Sequence, residues 1–203
     1  MTFDPQQLSP RDVYRILADA IAPRPICFAS TISAGGIVNL SPYSFFNVVS
    51  GNPPILAFAP QVSGRTGKTK DTLNNVLEVP EVVINVVDHA LGEKMSASSA
   101  AFPPEINEFR EVGLTEVASE KVRPPRVGES PVSFECVVDR VIELSREPIG
   151  GSLVLARVVA IHVAETHLRN GALDPSTLDL IGRMGGDEYV RAREGVFLMP
   201  KPE

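Results

Sequence analysis

Residues 24–60 read RPICFASTISAGGIVNLSPYSFFNVVSGNPPILAFAP, and this stretch decides the fold. Pro25 to Ser33 has an extended character, and Ala34-Gly35-Gly36 supplies the positive φ that a tight hairpin needs. Ile37 to Leu40 is then the return strand. Ser41-Pro42-Tyr43-Ser44-Phe45-Phe46-Asn47 puts hydroxyls, an amide and three aromatics into seven residues, more polarity than a structural strand requires. Asn52-Pro53-Pro54 is a turn, and Ile55 to Ala59 is another short apolar strand. The layout suits a planar polar ligand held at the end of a sheet.

Upstream, Ser9-Pro10-Arg11-Asp12 starts a helix, with Ser as N-cap, Pro at the first helical position and Asp in the first turn. Val13, Ile16, Leu17 and Ala20 recur at helical spacing and predict one packed face. Downstream, residues 61–72 read QVSGRTGKTKDT. Gly67-Lys68-Thr69 ends like a P-loop, but Val62 stands where the first glycine is required, which argues against nucleotide hydrolysis. The segment interleaves Arg65, Lys68 and Lys70 with Ser63, Thr66, Thr69 and Thr72. It runs into a helix reaching about Leu77, whose N-terminal N–H groups favour an anion. Alone, it reads equally as a phosphate-binding loop or a solvated basic loop.

Beyond it, Glu81 to Val87 is an apolar strand, and a helix is expected from Asp88-His89 to about Ser99. Val132 to Leu144 alternates, with Val132, Phe134, Cys136, Val138, Ile142 and Leu144 on one side, and predicts a half-buried strand. Leu153 to Val163 is mostly apolar on both faces, so a second surface must cover it, and a dimer would supply one. On it, His162 shares parity with Val154, Ala156, Val158 and Ala160, small neighbours that leave room for a ring; it reads either as a core histidine or as a ligand contact. Tyr43, Phe45 and Phe46 likewise read as core or as ring-stacking groups.

Composition narrows the function. A chain of 203 residues with 43% hydrophobic and 22% charged residues is a single globular domain, here with residues 1–22 as a helical extension. A formal charge of −6 argues against nucleic acid or an anionic membrane as partner. MTFDPQQLSP lacks the pattern of a signal peptide, so a cytoplasmic location is expected. Cys27 and Cys136 sit in apolar strands as buried thiols, and His89, His162 and His167 lack metal-ligand spacing. No Rossmann glycine fingerprint, nucleophile elbow or paired carboxylates stand out. Such a chain leaves the difficult chemistry to a cofactor, and flavin suits it.

Arg24-Pro25-Ile26, Ser30-Thr31, Gly36 followed by Asn39, Ser41-Pro42-x-Ser44-x-Phe46-Asn47 and Asn52-Pro53-Pro54 form an ordered set. Lys70-Asp71-Thr72 with Asn75, and Arg183-Met184-Gly185-Gly186-x-x-Tyr189, continue it. The set resembles the flavin reductase-like, FMN-binding split-barrel family, which includes flavoredoxins and the reductase components of two-component monooxygenases. The resemblance implies a mainly β fold with flanking helices: a Greek-key antiparallel split barrel. It implies FMN held by Ser30, Thr31, Asn39, Ser41, Ser44, Phe45, Phe46, Asn47, Ser63, Arg65, Lys70, Asp71, Thr72 and Arg183. His162 and Tyr189 become candidates beside a nicotinamide. The implied function is an NAD(P)H-dependent FMN reductase, acting as a homodimer that supplies electrons or reduced flavin to a partner such as a monooxygenase. A flavoredoxin-like electron carrier and a non-enzymatic flavin sensor or store are the alternatives.

Overall fold

A computed structural model describes residues 1–200. Helix α1 (Pro10–Ala20) starts where its cap dictates: the Ser9 hydroxyl accepts the Asp12 N–H at 3.2 Å and donates to the Asp12 carboxylate at 2.6 Å. The expected packed face is not packed within the chain. Only Ala18 is buried, while Ile16 and Leu17 are 44% and 50% exposed. Strands β1 (Cys27–Ile32) and β2 (Val38–Tyr43) form the expected hairpin, with Gly36 at φ 86° donating its N–H to the Ser33 carbonyl. The return strand runs on through Ser41-Pro42-Tyr43, past the expected boundary at Leu40. Strands β3 (Phe46–Gly51) and β4 (Pro54–Phe58) make a second hairpin across the Asn52-Pro53 turn.

Helix α2 (Asp71–Glu78) leads to β5 (Glu81–Asn85). Asn85 ends that strand with its side chain, which donates to the Phe28 carbonyl and accepts from the Val127 N–H and the Ser133 hydroxyl. Helix α3 is shorter than expected, Gly92–Ala97, because the Asp88 carboxylate takes the Leu91 N–H and ends the preceding turn. Helix α4 (Glu108–Glu111) is capped by Asn107. A small ribbon, β6 (Glu116–Val117) with β7 (Arg126–Val127), precedes the long hairpin of β8 (Val132–Glu143) and β9 (Ser152–Val163). Two more ribbons follow: β10 (Leu168–Arg169) with β11 (Ala172–Leu173), and β12 (Ile181–Arg183) with β13 (Tyr189–Arg191).

The main sheet has seven strands in the order β2-β1-β5-β8-β9-β4-β3, every pair antiparallel. After the two hairpins the chain returns to lay β5 beside β1, which is the Greek-key step. β2 and β3 lie at opposite ends of this order, yet only Ser44 and Phe45 separate them in sequence. Three Cα steps span at most about 11 Å, so the sheet must roll until its edges almost meet. They are not paired, so the roll stays split. Its interior holds Cys27, Ala29, Tyr43, Leu56, Phe58, Val82, Ile84, Cys136, Val154 and Ala156, plugged by Leu73 and Val76 of α2. A second core lies outside it, where Phe28 and Leu40 meet Leu91, Met95 and Phe109.

Two β-bulges overturn the simple alternation of the long hairpin. Glu135 pairs with Ala160 but Cys136 pairs with Val158, so Val159 is an extra residue. An insertion of one flips every later side chain to the other face. Ala160 and His162 therefore share the outer face with Glu135, opposite Val154, Ala156 and Val158. Asp139 is the matching extra residue on β8. Beyond it Val141 packs against the core, and Ile142, expected inside, is 37% exposed.

Candidate functional site

Two grooves meet beside β2. One, of about 460 Å³, is bounded by Tyr14 and Arg15 of α1, Arg24, Ser44, Met95 of α3, and Arg183 and Tyr189 of the β12–β13 ribbon. The other, of about 290 Å³, lies between Asn39 and Ser41 of β2, the loop and helix start from Ser63 to Thr72, and the connection from Ser98 to Pro104. Tyr43 and Ser99 border both.

The second groove is basic. Arg65, Lys68 and Lys70 are exposed and form no ion pair among the described residues. The loop is ordered by its hydroxyls: Ser63 Oγ accepts the N–H groups of Arg65 and Thr66, and the Thr69 hydroxyl donates to Asn74 at 2.9 Å. Lys70 is the N-cap of α2 but supplies no capping side chain, so the first-turn N–H groups of that helix add to the positive field. Thr72 is fully buried and accepts from Asn39 Nδ2 at 3.0 Å.

Arg24 builds the first groove. Its guanidinium is buried and donates to the carbonyls of Ala18, Ile21 (2.6 Å) and Met184 (2.8 Å), and to the Ser44 hydroxyl at 3.3 Å. One side chain thus joins the end of α1, the β2–β3 turn and the β12–β13 ribbon. Opposite, Arg183 lies over the Tyr189 ring, 4.7 Å from its centroid, and donates to the Tyr189 hydroxyl and the Gly186 carbonyl. Tyr14 and Phe45 pack with ring centroids 6.0 Å apart.

At the junction, Tyr43 packs its ring against Phe58 and buries its hydroxyl with no hydrogen-bond partner among the described residues. Burial pushes the phenol up to about 12; the Thr72 and Ser41 hydroxyls lie near enough to temper the rise, but neither meets hydrogen-bond geometry. An orphaned donor between a cationic groove and an aromatic one is what an elongated ligand, with an anion at one end and a ring at the other, would satisfy.

The residues expected at the site separate into groups. Asn39, Ser41, Ser63, Arg65, Lys70, Asp71 and Thr72 border the basic groove, and Ser44, Arg183 and Tyr189 the other. Phe45 packs on Tyr14, Phe46 against the inner core, and Asn47 is exposed on β3. Ser30 and Thr31 are fully buried in β1 and reach neither groove; Thr31 Oγ1 accepts from Asn75 at 3.1 Å. His162 also lies away from both. Its Nε2 is 2.6 Å from Glu135, a fully buried carboxylate that accepts the N–H groups of Glu120 and Lys121 as well. Desolvation opposes ionisation of Glu135, but those N–H groups and His162 outweigh it and hold the carboxyl below its usual range. Tyr14, Met95, Ser99 and Glu108 border the grooves from elements far apart in sequence and carry no local signal, whereas Arg24 stands in the ordered set with no site role expected of it.

Among solved structures, the chain is similar to nitrilotriacetate monooxygenase component B from Bacillus cereus, at 32% identity and a TM-score of 0.90, with 98% of each chain covered. It is similar to 2-nitrobenzoate 2-nitroreductase of Pseudomonas fluorescens at 27% identity and a TM-score of 0.88, covering 99% of this chain and 96% of that one. A split barrel domain protein of Shewanella frigidimarina, at 21% identity, shares the fold with a TM-score of 0.81 over 100% of this chain and 99% of that one. The family model for the flavin reductase like domain matches residues 20–178, from the end of α1 past the long hairpin, and the chain therefore belongs to the flavin reductase-like family.

Proposed function

We propose that the chain binds FMN along the two joined grooves and works as an NAD(P)H-dependent flavin reductase that passes electrons or reduced flavin to a partner such as a monooxygenase. The observation that carries this reading is the continuity of a cation-lined groove at the start of α2 with an aromatic-walled one, through an unpartnered buried hydroxyl. Arg65, Lys68 and Lys70 would hold the phosphate through charge-assisted hydrogen bonds. Asn39, Ser41 and Thr72 line the way to Tyr43, and the Ser44 turn meets the wider groove that Arg183 and Tyr189 wall on its far side. A bound isoalloxazine supplies hydride acceptance and electron release, and the protein's share is to hold, orient and shield it. Of the two groups expected at the donor side, Tyr189 borders the groove and His162 does not. The similarity to a monooxygenase component supports the role as supplier to a partner enzyme.

A second copy of the chain is the proposed cover for the apolar residues left open: Ile16, Leu17 and Ile21 at α1, Val48 and Val49 on β3, and Ile161 on β9.

Titration with FMN and riboflavin tests the phosphate groove. FMN should bind at least tenfold more tightly, and Lys70→Ala should narrow the gap. Anaerobic NADH or NADPH should then bleach the bound flavin. Equal affinity for the two flavins sinks the site; tight FMN that neither nicotinamide reduces leaves a carrier or a store.

A further inference from the structure

The basic groove contains one group that phosphate binding does not use. Glu108, on α4, is 7% exposed and borders the groove that Arg65, Lys68 and Lys70 line. Its Oε2 accepts the Leu40 N–H at 2.8 Å, closing a donor on the free edge of β2. Apart from its own backbone N–H, the carboxylate meets no further donor among the described residues, and neither oxygen is within ion-pair distance of a cation. Covering an edge N–H needs only a neutral oxygen, whereas a buried carboxylate without a cation is costly to keep. The Asn39 amide, a neutral donor that borders the same groove, already points its N–H at Thr72. A carboxylate accepts and never donates, so the ligand it suits carries O–H donors close to its phosphate.

We infer that Glu108 reads the hydroxylated chain of a phosphorylated polyol, accepting a hydrogen bond from one of its hydroxyls, so that the groove selects the linker as well as the phosphate. This rests on the reading of the groove as the FMN phosphate site, and there the linker is the ribityl chain. Burial also raises the Glu108 carboxyl above its usual range, and the Leu40 N–H partly offsets this.

Two probes separate the possibilities: FMN, and a flavin carrying an unsubstituted five-carbon alkyl phosphate in place of the ribityl phosphate. The wild type should prefer FMN about tenfold, the weight of one hydrogen bond to a charged group. Glu108→Gln keeps an oxygen for Leu40 and should melt like the wild type without ligand. It should lose about tenfold in FMN affinity, keep its affinity for the alkyl analogue, and so erase the preference. Equal binding of both probes by the wild type overturns the inference and leaves the phosphate site standing. An equal loss for both probes in Glu108→Gln makes Glu108 a structural cap and also overturns it. A wild type that binds neither probe removes both readings together.

Discussion

Tyr43→Phe deletes one oxygen and nothing else, and its effect on the empty protein should oppose its effect on the loaded one. The hydroxyl is buried without a partner at the meeting of the two grooves. An unsatisfied buried polar group costs about 1–3 kcal/mol, and the nearby Ser41 and Thr72 hydroxyls place this one at about 1 kcal/mol. The ligand-free variant should therefore gain about 1 kcal/mol, or roughly 2–4 °C in Tm for a chain of this length. If the same hydroxyl donates to FMN, its loss costs about 0.5–1.5 kcal/mol of binding, a fall in affinity of about 2- to 13-fold. Burial holds the phenol near 12, so it remains a neutral donor and the affinity difference should be flat from pH 6 to 9. Melting curves of flavin-free protein beside fluorescence titration with FMN measure both effects. A lowered Tm with unchanged FMN affinity would refute the reasoning, since it would mean that Ser41 or Thr72 already satisfies the hydroxyl and that no ligand does.

Three further predictions come from the outer face and the open surface. Glu135 is held below the usual carboxylate range, so it stabilises the fold above that range, and the contribution is lost as pH falls through its depressed pKa. Glu135→Gln should flatten the acid limb of a Tm–pH curve, and His162→Ala should lower Tm by several degrees while bound flavin is reduced at the wild-type rate; slowed reduction would return His162 to the donor site. Flavin-loaded protein at micromolar concentration should sediment as a dimer and Leu17→Glu should shift it toward monomer, so a wild-type monomer that keeps its flavin would leave Ile16, Leu17 and Ile21 without the proposed cover.

What the sequence disclosed and what it hid follow from the range of the forces involved. The Ser9 cap, the Gly36 hairpin and the helix that reaches about Leu77 are local, and the structure has each where the residues place it. The bulge at Val159 carries no local mark, since β9 is apolar on both faces there, and the one at Asp139 is marked only by Arg140, which falls on the apolar parity of β8. They nevertheless decide which face His162, Val141 and Ile142 occupy. Helical periodicity in α1 identified an apolar stripe but not what covers it. Of the polar stretch Ser41–Asn47, Ser41, Pro42, Tyr43 and Ser44 border a groove and Phe45, Phe46 and Asn47 do not. Which hydroxyls border a groove depends on contacts with loops 20 to 140 residues away, and Ser30 and Thr31, one strand over, are wholly internal.

The split in the roll and the position of the grooves have one cause. β2 must end next to β3 because only Ser44 and Phe45 join them, yet the two edges stay unpaired. An unpaired edge normally invites another strand. On β2 the outward donors are removed one by one: Glu108 takes the Leu40 N–H, and Pro42 has none to offer. Val38 lies farther along, toward the hairpin. The edge from Leu40 to Pro42 is thus closed to pairing, while the inward residues Asn39, Ser41 and Tyr43 reach the grooves from the other side of the pleat. Arg24 then fixes α1, the turn at Ser44 and the β12–β13 ribbon around the remaining gap. The split in the roll is therefore held open by the residues that border the grooves, and a substitution that let β2 and β3 pair would remove the grooves along with the edge.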